Sequence, residues 1–109
     1  MYESGKDFIQ DASKTIKKIY PDCKVLSEQF NDAAFGNSCI IFKAEKLLIR
    51  CIMDRGQIFI EFASSNKPDE WHYLENLVKE IDGTDIGVLS LNEYEEIILK
   101  YKNKIKDFF

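Results

Sequence analysis

The chain has one histidine, His72, and three cysteines, Cys23, Cys39 and Cys51, none at a metal-binding or redox spacing. Without a CxxC pair or a second histidine, neither a zinc site nor a thiol–disulfide centre has a framework. His72 and Glu75 share a helical face at i, i+3, which by itself reads as a solvated face. A Cys–His nucleophilic pair would need a buried thiol to reach His72. Three thiols cannot all pair, so they read as small buried hydrophobes kept reduced in the cytoplasm. The five glycines are scattered, and no phosphate loop, GxSxG elbow or HExxH run is present. No apolar run approaches the roughly 18 residues of a membrane span, and the start, MYESGKDFIQ, has no leader pattern. The expectation is a non-enzyme with no catalytic residues, cofactor or metal and no membrane partner.

What is present is ordinary globular material. The 109 residues are 45% hydrophobic and 31% charged, enough for one domain spanning 1–109 around a single core. The net charge of −4 is unevenly spread. Glu61–Glu96 carries two lysines against ten acids, whereas Ile97–Phe109 carries four lysines against one. Such an acidic stretch is a solvated surface or the attraction for a basic partner. No basic patch with interleaved aromatics occurs, so nucleic acid is not an expected partner.

The pattern predicts an α+β fold: an N-terminal helix, a four-stranded antiparallel meander and two C-terminal helices. Ser4 caps a helix over Gly5–Ile19, and Phe8, Ile9, Ala12, Ile16, Ile19 and Tyr20 make one stripe. Pro21 ends it. Strands follow at Lys24–Phe30, Cys39–Ala44, Leu47–Met53 and Gln57–Ala63, with a turn at Phe35-Gly36-Asn37. Pro68 opens a helix to Asp82 with Trp71, Leu74, Leu77, Val78 and Ile81 as its buried stripe, and Gly83 closes it. Val88-Leu89 is a candidate edge strand. Ser90-Leu91-Asn92-Glu93 is a capping box opening the last helix. Its Leu91, Tyr94, Ile98, Tyr101, Ile105 and Phe108 form a heptad seam, which packs on the sheet or pairs two copies as a homodimer.

The central hairpin, LLIRCIMDRGQIFIEFA, carries the functional signal. A two-residue loop at Arg55-Gly56 sets Asp54 opposite Gln57, Ile52 opposite Phe59 and Arg50 opposite Glu61. A longer loop with Gly56 left-handed is the alternative, because arginine is unusual at that turn position. Period-two alternation then yields an apolar face of Ile40, Phe42, Leu47, Ile49, Cys51, Met53, Ile58, Ile60 and Phe62. The opposite face is mixed. On it, Arg50, Ile52, Asp54, Arg55, Gln57, Phe59 and Glu61 are the candidate partner-binding residues, an apolar centre with a charged surround.

A strand entering DRGQ, the strand IFIEF and Trp71-His72-Tyr73-Leu74 at the start of a helix resemble small bacterial immunity proteins of polymorphic toxin systems. The resemblance covers roughly Cys39–Ile81 and carries no defining motif or functional residue. It implies a cytosolic, often acidic protein that neutralises a toxin by binding it, and the charge distribution suits a basic toxin domain. The alternatives are a small-molecule or enzymatic domain with a pocket lined by Arg50, Glu61 and Tyr101, and a homodimer of unknown role.

Overall fold

Period-two alternation in the middle of the chain and helical stripes at both ends build two layers. The computed structural model describes residues 4–31, 37–87 and 89–109. Its elements are α1 (Gly5–Ile19), β1 (Lys24–Asn31), β2 (Asn37–Ala44), β3 (Leu47–Asp54), β4 (Gln57–Ser64), β5 (His72–Tyr73), α2 (Leu74–Asp82) and α3 (Leu91–Phe108). The strands make one antiparallel sheet in the order β1-β2-β3-β4-β5. The turn expected at Phe35-Gly36-Asn37 lies mostly outside the described residues, as does Val88 of the candidate edge strand Val88-Leu89.

The β3–β4 register matches the expectation, and β2 joins β3 through a two-residue turn. Phe42 pairs with Ile49 and Ile41 with Arg50; Ile52 pairs with Phe59 and Arg50 with Glu61. The apolar face is buried throughout except for Ile58, which is half-buried. On it pack Phe8, Ala12 and Ile16 of α1, Leu74, Leu77 and Val78 of α2, and Tyr94, Ile98 and Ile105 of α3, forming one core. The heptad seam of the last helix therefore faces inward; only Phe108 among its members is exposed. Burial of these side chains is the main stabilising contribution of the helical layer.

The caps follow the sequence. Ser4 Oγ accepts the Asp7 N–H at 3.2 Å, and Ser90 and Glu93 form the complete capping box. Lys102 Nζ donates to the Ile19 carbonyl at 2.6 Å, satisfying an acceptor at the end of α1. The Tyr94 hydroxyl donates to the Ile58 carbonyl at 2.9 Å, tying α3 to β4.

Two elements differ from the sequence reading. The sheet has five strands rather than four, and α2 begins at Leu74 rather than Pro68. Residues from Ser65 to Glu70 form successive turns, held by Ser65 N–H to the Lys46 carbonyl at 2.8 Å and Glu70 N–H to the Lys67 carbonyl at 3.1 Å. His72 and Tyr73 then pair with Phe62 and Glu61. Bulky aromatic residues favour this extended, half-buried pairing over the first turn of a helix. Pro68, compatible with a first helical turn, sits in a turn instead.

Burial pushes the Tyr20 and Tyr94 phenols up to about 12 from the ordinary 10.0, and the Glu75 carboxylate adds to the effect at Tyr94. The unfolded chain releases these protons near the ordinary value. Their contribution to stability is therefore full below pH about 10 and is lost as pH rises toward about 12. Denaturant midpoints measured across that window should fall, and Tyr94→Phe should flatten the fall; a midpoint independent of pH there contradicts the burial.

Candidate functional site

The side of the sheet turned away from the helices holds the candidate site. Alternation along β3 and β4 aims Arg50, Ile52, Phe59 and Glu61 to this side. Cross-strand partners share a face, which adds Cys39 and Ile41 from β2 and Tyr73 from β5. Asp54, Arg55 and Gln57 are exposed around the hairpin tip, and Ile52 and Phe59 are half-buried. All seven residues expected at the site thus belong to one hairpin, six of them in β3 and β4 and Arg55 in its turn.

Arg50 is the organising side chain. Its Nε donates to Glu61 Oε2 at 2.7 Å, and its guanidinium carbon lies 4.2 Å from the centroid of the Trp71 ring. Glu61 is only 4% exposed, so it reaches no partner directly. Its carboxylate holds the Arg50 guanidinium in one orientation, while the indole fixes the guanidinium plane. Beside this stack, Phe59 and Tyr73 pack as a tilted pair with ring centroids 6.1 Å apart. Tyr73 remains 42% exposed. Leu48 and Ala63 are buried on this same face, apart from the main core.

Trp71 and Tyr73 are the site residues that sequence reasoning missed. Trp71 reads as part of a helical stripe, yet it precedes β5 and covers Arg50. The available signal is the alternation itself: Trp71 and Tyr73 are two apart, as strand neighbours on one face must be, and His72 between them turns to the opposite side. There its ring makes T-shaped contacts with Phe108 and Phe109, the ring centroids 5.6 and 5.5 Å apart.

The hairpin tip is a two-residue loop, with φ of 53° at Arg55 and 81° at Gly56. Both residues being left-handed is the type I′ arrangement. The Asn37 side-chain oxygen accepts the Arg55 N–H at 3.0 Å and braces the turn from β2.

The acidic stretch lies mostly on the helices. Glu75, Glu80 and Asp82 lie on α2, Asp85 follows it, and Glu93, Glu95 and Glu96 lie on α3. These seven belong to the helical layer, whereas Asp69 and Glu70 lie in the turn segment before Trp71 and Glu61 pairs with Arg50 on the mixed face. Tyr101, which the small-molecule alternative sets beside Arg50 in a pocket, is on α3 within the main core, where its hydroxyl donates to the Asp82 carboxylate. Arg50, Glu61 and Tyr101 therefore line no common pocket. The thiols are poorly set for nucleophilic work: burial pushes Cys51, Cys39 and Cys23 up, only partly offset at Cys39 by the Arg50 charge. Among the described residues no group of three or more His, Cys, Asp and Glu is placed to hold a metal ion, and no helix is long and apolar enough to cross a membrane.

No family model, curated protein or solved structure matches this chain. The site is therefore read from its own geometry.

The left-handed backbone at Arg55 makes a direct prediction. Asparagine tolerates that conformation better than arginine. Arg55→Asn should raise the unfolding free energy by about 0.5–1 kcal/mol in urea titrations. A variant less stable than the parent would mean that the Arg55 side chain supports the fold.

Proposed function

We propose that this chain is a non-catalytic protein-binding domain whose recognition surface is the mixed sheet face, and that its biological form is a toxin-neutralising immunity protein. One observation carries this reading. All three helices pack on the apolar side of the sheet, and the other side keeps Ile41, Ile52 and Phe59 half-buried and Tyr73 exposed around Arg50.

An apolar and aromatic centre with a polar rim is the usual anatomy of an interface. Tryptophan, tyrosine and arginine are the residues that most often dominate its energy. Here those three types lie together, and Arg50 is already immobilised by Glu61 and Trp71. Fixing side chains before contact reduces the ordering cost of association. The high-pKa thiols and the single histidine, packed against Phe108 and Phe109, further support a non-catalytic role.

The test uses a toxin domain encoded beside this chain, titrated calorimetrically. Phe59→Asp should raise Kd by about 30-fold or more, the effect of losing a central aromatic contact, with the free variant still folded by far-UV circular dichroism. Trp71 is the only tryptophan, so its emission should change on complex formation. Binding unaffected by Phe59→Asp but lost with Leu99→Asp, on the exposed side of α3, would contradict the reading.

A further inference from the structure

We infer that the mixed sheet face takes an acidic, extended segment of its partner, with a partner carboxylate seated on Arg50. This rests on the sheet face being the recognition surface, and it adds the chemistry of what that surface recognises.

The first observation is the state of Arg50. Among the described residues only its Nε has a protein acceptor, Glu61. Among the same residues the two terminal amino groups have none, and the side chain is 26% exposed. A guanidinium gripped at Nε and stacked on one face still offers an end-on fork of two parallel donors. That fork matches the two oxygens of a carboxylate.

The second observation is independent of the first. Lys24 of β1 stands directly opposite Lys43 of β2, and both are exposed. Among the described residues neither makes an ion pair. Like charges in directly opposed positions destabilise a strand pair, so the free protein leaves a local repulsion that an anionic partner relieves. Lys43 lies two residues from Ile41, the cross-strand partner of Arg50, which places the lysine pair at a diagonal reach from the fork.

Charge balance on this face points the same way. Lys24, Lys43 and Arg50 outnumber Asp54 and the buried Glu61, although the whole chain carries −4. The mixed face is thus locally basic on an acidic protein. Apolar side chains of the same segment would rest on Ile52, Phe59 and Tyr73, alternating with its carboxylates as an extended chain requires.

The test titrates the isotope-labelled intact protein with a blocked hexapeptide alternating leucine or phenylalanine with glutamate. Two counterparts replace the glutamates by glutamine or by lysine. The glutamate peptide should give saturable NMR shifts at the Trp71 indole N–H and the Arg50 Nε–H, with an affinity on the order of millimolar. The glutamine peptide should bind at least about fivefold more weakly, and the lysine peptide should bind more weakly still. Lys43→Glu, which replaces the opposed lysines by an opposite-charge pair, should keep the fold and weaken the glutamate peptide by a similar factor. Equal response to all three peptides, preference for lysine, or no saturable shift with glutamate would each overturn the inference. Lysine-peptide shifts on the sheet face would overturn it while leaving that face as the recognition surface. Glutamate-peptide shifts confined to α2 and α3 would overturn both.

Discussion

The pairing of Arg50 with Glu61 is the constraint on which the rest of the arrangement depends. A buried carboxylate is tolerated only with a close, well-oriented cation, and the β3–β4 register supplies one at 2.7 Å. A one-residue slip would exchange the faces of β4, turning Glu61 toward the core side and exposing its apolar neighbours Ile60 and Phe62. Apolar alternation and the ion pair therefore demand the same register. The pair is half exposed by asymmetry: Glu61 is hidden, while part of Arg50 stays at the surface. This makes the carboxylate a support and the guanidinium a presented group.

From that register the two layers follow. The helices cover the apolar face that β2, β3 and β4 present, and most of their own acids, Glu75 excepted, then face solvent on the far side of the molecule. Most of what is a run of acids along the chain becomes a charged helical layer in the fold. The opposite face is left to Trp71 and Tyr73, brought in by a strand of only two residues. Trp71 over Arg50 covers one part of the face, and Ile52, Phe59 and Tyr73 leave an apolar area beside it.

Much of this was legible in the sequence. The faces of the central hairpin, its two-residue loop, the Ser4 and Ser90 caps and the inward packing of the last helix all follow from local patterns of period two and three to four. Misplaced features depend on contacts distant in sequence. Pro68 suits a helix start, but Trp71 is stabilised by stacking on Arg50, 21 positions earlier. Nothing local reveals that Glu61 will be buried, because β5, which pairs beside it, lies more than ten positions later. The basic character of the mixed face was hidden for the same reason: Lys24 and Lys43 become neighbours only when β1 pairs with β2.

A double-mutant cycle of Arg50→Leu and Glu61→Leu, followed by urea unfolding, tests the central interaction most directly. Arg50→Leu alone should destabilise by about 3 kcal/mol, because it strands a buried carboxylate. Glu61→Leu alone should cost less, since the guanidinium can still reach water. The double variant should recover much of the larger loss, giving a coupling of about 2 kcal/mol. Additive losses, with a coupling below about 0.5 kcal/mol, would contradict the account of Arg50 as a side chain held in place by Glu61.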